Sequence, residues 1–177
     1  MRKIIHLLVI AVLATVFIGS ICNSCTEIGN CSLDGRALMY CNIYTIDPST
    51  KEVIKDTIDT LTITALETDS IILNQDTKVT SLSLPLRYTK DTTIFVLRYN
   101  YSTKNNEMDT LYIVHKNASY FISMDCGYSM EQSITSAKKG KSTRKTQKFQ
   151  LDSVAIKNTD ANTDGTQNLQ LFYKYRG

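Results

Sequence analysis

Histidine is nearly missing from this chain: 177 residues contain two, His6 and His115. That count excludes a histidine-rich metal site. If the leader is removed, His115 alone is left for any serine–histidine or cysteine–histidine chemistry. No nucleophile motif accompanies it, and its setting between Val114 and Lys116 reads as a strand residue on a polar or half-buried face. Beyond the leader no cysteines form a C-x-x-C pair, which speaks against a thiolate zinc site. No apolar run reaches the ~20 residues that a membrane-spanning helix needs. No stretch of the mature domain sustains an i, i+3, i+4, i+7 apolar pattern. Internal repeats and long linkers are missing too.

What is present begins at residue 1. Arg2 and Lys3 precede an apolar run of 15 residues, 4–18, broken only by His6 and Thr15. Gly19, Ser20 and Ser24 are the small residues after it, which is the pattern of a cleaved secretory signal. A bacterial lipoprotein signal sets a small residue directly before the cysteine that takes the lipid. Ser24-Cys25 meets this and Ile21-Cys22 does not, so Cys25 is the expected lipidation site. An ordinary secretory signal cut nearby and a short transmembrane anchor are the alternatives. Several acyl chains, at about 0.8 kcal/mol per buried methylene, anchor far more firmly than one. The chain divides into a signal (1–24), a lipidated tether (25–34) and one domain (35–177).

Cleavage removes Arg2 and Lys3 and leaves 18 basic residues against 17 acidic ones. The mature domain is therefore not a generic polyanion binder. With Cys25 acylated, Cys31, Cys41 and Cys126 remain, and an oxidising compartment permits one disulfide. Cys41 is in phase with Met39 and Ile43, as expected of a buried free thiol. Cys31 and Cys126 lie beside Asn30 and Gly127 at element edges and are the preferred pair. Cys41–Cys126 and no disulfide at all are the alternatives. Closing so long a loop is worth up to about 4–5 kcal/mol on the chain-entropy model.

From residue 37 the pattern has period two. Strands are expected over 37–45, within 53–66, and over 80–88, 92–101, 109–115, 119–124, 149–156 and 169–175, with 71–73 a short apolar piece. In 80–88, Leu82, Leu84, Leu86 and Tyr88 share one face, and Pro85 marks an edge strand or a break. Asp47-Pro48-Ser49 and 101–106 are turns. Twenty-two threonines and ten tyrosines suit such a composition. About eight short strands point to an all-β fold, a single antiparallel β-sandwich, with a small β-barrel as the alternative.

Three features together resemble a family of uncharacterised Bacteroidota envelope lipoproteins. One is Cys25 followed six residues later by Cys31. Another is Leu82-Ser83-Leu84-Pro85-Leu86 leading to Asp91-Thr92-Thr93-Ile94-Phe95. The last is Asp109-Thr110-Leu111, then Ser123-Met124-Asp125-Cys126-Gly127 and Ile156-Lys157-Asn158-Thr159. The resemblance covers most of the mature chain and implies a small β-rich envelope lipoprotein. It carries over no catalytic residue. Cys41 and the basic insert near Lys138 depart from the pattern.

Three surface patterns invite a functional reading. Asp160-Ala161-Asn162-Thr163-Asp164-Gly165 matches the first half of a calcium loop through Asp160, Asn162 and Asp164. The twelfth position is Leu171 where a glutamate is needed, and a plain hairpin loop selects the same residues. Lys138, Lys139, Lys141, Arg144, Lys145 and Lys148 form a basic stretch with no acid between Glu131 and Asp152. It reads as a flexible solvated loop or as a contact for lipid headgroups, lipopolysaccharide or an acidic partner. No aromatics interleave these charges, which speaks against nucleic acid. Seven acids over 47–76 against Lys51 and Lys55 would polarise the domain electrically.

Six Asp-Ser/Thr-apolar or Asp-Ser/Thr-Thr triplets resemble the O-glycosylation acceptor of exported Bacteroidota proteins. Their hydroxyls belong to Thr57, Thr60, Ser70, Thr92, Thr110 and Ser153. The competing explanation is mechanical: aspartate suits the turn before a strand, and threonine its start.

The expected protein is a non-enzymatic outer-membrane lipoprotein without a cofactor, facing the periplasm, that binds or supports another envelope protein or glycan. A carrier of a small apolar or glycan ligand, lined by strand tyrosines, is the second reading. A hydrolase with paired acids is the third.

Overall fold

The computed structural model describes residues 36–100, 107–124, 126–140, 142 and 150–174. The signal, the tether, Cys25, Cys31, the turn 101–106, and Lys141, Arg144, Lys145 and Lys148 lie outside the described residues.

Alternating β-branched, aromatic and polar residues produce ten strands and no described helix. They are β1 (Leu38–Ile46), β2 (Val53–Lys55), β3 (Ile58–Ala65), β4 (Ile71–Val79), β5 (Ser81–Pro85), β6 (Thr92–Tyr99), β7 (Met108–Ser123), β8 (Gly127–Lys139), β9 (Leu151–Ile156) and β10 (Gln167–Tyr173). One sheet runs β2-β1-β10-β9, with β5 also on β1; the other runs β4-β3-β6-β7-β8. β5 pairs with the first half of β1 and β2 with its end. The sheets stay open, so the fold is a β-sandwich and not a barrel. Every pairing is antiparallel except β1 with β10, where the first and last strands run side by side in the same direction.

The period of two fixes what lies between the sheets. Met39, Cys41 and Ile43 face inward from β1, with Leu82 and Leu84 from β5 and Leu169, Leu171 and Tyr173 from β10. Opposite them stand Leu61 and Ile63 of β3, Phe95, Leu97 and Tyr99 of β6, and Leu111 and Ile113 of β7. Each such aliphatic or phenylalanine side chain is worth about 1.5–3 kcal/mol when buried. Cys41 is a free, fully buried thiol of this core, and burial pushes its pKa far up. The Cys41–Cys126 pairing is therefore excluded.

Several elements differ from the sequence expectation. The stretch 53–66 holds two strands, β2 and β3, because a break falls at Asp56-Thr57. β4 continues to Val79 through polar residues, and positive φ at Gln75 and Lys78 disrupts the alternation that would have revealed it. Tyr88 lies outside β5 and is exposed; Arg36 packs over its ring at 4.7 Å. β7 runs unbroken through Lys116-Asn117, joining two segments expected to be separate. β8 was not expected at all. Its sequence, GYSMEQSITSAKK, is polar, and its pairing with β7 makes it a strand. Lys138 and Lys139 therefore belong to a strand opposite Tyr112 and Leu111, and not to a flexible loop.

Two hydrogen-bonded arrangements, one of side chains and one of backbone, tie the sheets. The Tyr99 hydroxyl donates to Asp109 Oδ2 (3.0 Å) and contacts Tyr173 Oη (3.1 Å), while Leu151 N donates to the same carboxylate oxygen (2.9 Å). At the β8–β9 corner, Ile134 N donates to Thr159 O, and Ala161 N to Gln132 O.

Candidate functional site

The β7–β8 hairpin is where core, buried polar groups and exposed apolar surface meet. Its inward face reads, outward from the core, His115/Ile134, Asn117/Gln132, Ser119/Met130 and Phe121/Tyr128 in cross-strand register. The first pair is buried and the last is exposed.

His115 continues the inward series of Leu111 and Ile113, so it is buried, not on the polar or half-buried face. Asn117 Oδ1 can only accept, so it takes the proton of His115 Nδ1, and Nε2 accepts from the Thr93 hydroxyl (2.9 Å), whose oxygen also accepts from Arg87 N (2.9 Å). His115 Nδ1 then carries the ring proton and donates to Asn117 Oδ1 (3.0 Å). Gln132 Nε2 donates to that same oxygen (2.8 Å) and to Arg87 O (3.1 Å). Asn117 Nδ2 reaches the carbonyls of Arg87, Tyr88 and Lys90. Burial lowers the His115 pKa, against the opposing pull of Asn117 and Asp91. The imidazole is thus a neutral strut that holds loop 86–91.

That loop is held from outside as well. Glu67 binds Arg87 and Lys90, whose hydrogen bonds keep its carboxyl below the usual range, Lys90 contributing most. Asn117, Gln132 and Thr93 were not legible as partners of His115. They come together only through the β7–β8 and β6–β7 registers.

Beside the hairpin lies a groove of about 470 Å³, lined by Ala37, Tyr120, Met130, Glu131, Asn162 and Asp164 among others. Its two carboxylates are candidates for acid chemistry. Hydrogen bonds from Thr166 hold Asp164 below its ordinary value, the direction opposite to that of a general acid. The calcium-loop oxygens are engaged within the chain. Asn162 Oδ1 accepts from Gly165 N, Asp164 Oδ1 from Thr166 N, and Asp160 Oδ1 from Ser133 Oγ. Such Asx turns close the hairpin loop between β9 and β10. Among the described residues no three His, Cys, Asp or Glu side chains gather as a metal site.

The acceptor triplets are scattered over both sheets and presented unequally. Ser70 and Ser153 are exposed, as are Asp69 and Asp152 before them. Thr57, Thr60, Thr92 and Thr110 are half-buried. Asp109 is buried and engaged by Tyr99 and Leu151, so its triplet is the least presented. Lys138 and Lys139 are exposed at the end of β8 farthest from the hairpin turn.

Cys126 sits in that turn and is disulfide-bonded. No disulfide joins two described cysteines, because Cys41 is free.

These features define an all-β, two-sheet sandwich domain. A family model, DUF6452, a family of unknown function, matches residues 60–173. The chain belongs to that family. Comparison with curated proteins and with solved structures gives no match.

Proposed function

We propose that this chain is a non-enzymatic lipoprotein of a bacterial outer membrane, related to the Bacteroidota envelope lipoproteins it resembles. It is anchored through Cys25, faces the periplasm, and binds or supports another envelope component. One observation favours a binding or structural role over catalysis. The buried ionisable side chains of the described residues, Cys41, Tyr99, Asp109, His115 and Tyr173, are held by packing or hydrogen bonds inside the fold. A catalytic acid, base or thiolate needs a group that meets a substrate. The anchor itself rests on the leader, with its short apolar run and Ser24-Cys25. Under this reading Cys31 is the partner of Cys126, since Cys25 carries lipid and Cys22 leaves with the signal.

Pull-down from native membranes with the lipidated protein tests the role. Enrichment of an envelope component over a Cys25→Ala control is expected. Recovery of none would overturn it.

The groove beside Tyr120 favours a second reading, a carrier. It combines apolar Ala37 and Met130 with polar Glu131, Asn162 and Asp164, as ligand sites do. Native mass spectrometry of protein from its host would reveal a retained ligand, and a Met130→Lys variant should lose it. The acceptor triplets yield a further expectation. Glycan, where present, occupies Ser70 and Ser153 first and Thr110 least. Intact mass equal to that of protein made without a signal, after correction for lipid, would reject glycosylation.

A further inference from the structure

Beyond Asn117 the β7–β8 hairpin leaves the sandwich as a two-stranded ribbon. Its surface there is apolar on both sides. Phe121 and Tyr128 meet edge to face at 5.4 Å on the side continuous with the core. Tyr120 and Ile122 alternate with Phe121 and so point to the other side. Met124 stands in the turn, 91% exposed, and Tyr128 is 74% exposed. Across 117–130 the only charged residue is Asp125. A face that docks on a protein is apolar on one side; a tip surrounded by an apolar medium is apolar all round.

The chain also enters the domain at this end. Ala37 lines the same groove as Tyr120 and Met130, and Leu38 pairs with Asn162 beside it. Ten residues lie between Cys25 and Arg36, so the two Cα atoms are at most about 40 Å apart.

We propose that the tip of the β7–β8 ribbon, carried by Phe121, Ile122, Met124 and Tyr128, is a second membrane contact that dips into the lipid interface. The proposal rests on the lipoprotein reading for its orientation. Tyrosines suit that depth because the ring meets acyl chain while the hydroxyl meets headgroup and water. The turn's backbone groups stay near water, which a shallow insertion allows. The anchor and the tip then fix the tilt of the domain, which a lipid alone would leave free. The same geometry sends Lys138 and Lys139 away from the bilayer, because β8 extends about 40 Å from tip to end. Lys138 and Lys139 then face the aqueous side, where an acidic partner, and not the anchoring leaflet, would meet them.

The chain has no tryptophan, so a single inserted one reports alone. Met124→Trp and, as control, Val53→Trp on the far strand β2 would be made in the full chain. Both are purified as the processed protein and reconstituted in phosphatidylethanolamine–phosphatidylglycerol vesicles. The expected result is a blue-shifted Met124→Trp emission quenched by brominated acyl chains, with Val53→Trp unquenched. Intact mass of the same samples reads the acyl chains on Cys25. Acylated protein with an unquenched Met124→Trp would overturn the tip contact and spare the anchor. A blue shift that depends on protein concentration and ignores brominated lipid would assign the tip to a second copy of the chain and overturn it as well. A mass without acyl chains would overturn the lipoprotein reading itself.

Discussion

The two halves of the β7–β8 hairpin share one register and obey opposite rules. In the near half, from Asp109 to His115, one face is buried to the last residue. In the far half, from Asn117 to Ser123, no side chain is buried. The boundary is the Asn117/Gln132 pair, where an apolar core gives way to a polar clamp. A strand is therefore not a unit of stability. What packs against each residue decides whether its apolar side chain stabilises the fold or is held out for another surface.

The sharpest test of that contrast compares two isoleucines of the same strand. Ile113 is fully buried against the opposite sheet, whereas Ile122 is 50% exposed. Ile113→Ala removes buried methylenes and leaves a cavity, at an expected cost of about 2–5 kcal/mol. Ile122→Ala should stay within about 0.5 kcal/mol. Urea denaturation of the two variants reads the difference. Comparable losses would mean that the far half packs against the domain.

The same contrast explains what the sequence made legible. The inward series Met39-Cys41-Ile43 and Leu82-Leu84-Leu86 keep strict alternation, so the sandwich and the buried thiol could be read directly. β8 could not. Its residues look polar because half of them face solvent and Gln132 faces a clamp, and only pairing with β7 makes them a strand. The consecutive Tyr120-Phe121-Ile122 fall within an expected strand, and three apolar residues in a row occupy both faces of a strand. That lack of alternation was the available signal that this segment is not packed on one side. The parallel β1–β10 pair has no local signature, since its register joins residues more than a hundred positions apart. His115 was visible as the lone histidine, but its partners Thr93, Asn117 and Gln132 come from pairings that no spacing reveals.

At the boundary itself, Asn117→Ala should cost about 1–3 kcal/mol. It strips the donor from the carbonyls of Arg87, Tyr88 and Lys90 and leaves His115 Nδ1 and Gln132 Nε2 short of an acceptor. Amide exchange should rise in loop 86–91 before the rest of the sandwich. Uniform acceleration would show that the clamp is not local. At the turn, Gly127 has φ +68 with open space around its absent side chain. Gly127→Ala should therefore cost about 1–2 kcal/mol through backbone strain alone. Global stability in urea, compared with wild type, measures it, and no loss would mean that the turn relaxes freely.

The smallest effect is the titration of the strut. Burial makes the folded protein bind a proton on His115 less readily than the unfolded chain does. The unfolded value is near 6.5. The neutral ring's contribution is therefore complete above that pH and is lost as pH falls through and below it. Protonation would also put a proton on Nε2, which now accepts from Thr93 Oγ1, so the charged ring loses a hydrogen bond as well as its solvation. In a chain from which His6 has been removed, His115 is the single imidazole, and one NMR resonance follows it. Its midpoint should lie below 6.5, and wild type should lose stability relative to His115→Gln between about pH 7 and pH 5. A midpoint at or above 6.5 would mean that the strut is open to solvent, and the buried clamp that divides the two halves of the hairpin would lose its central member.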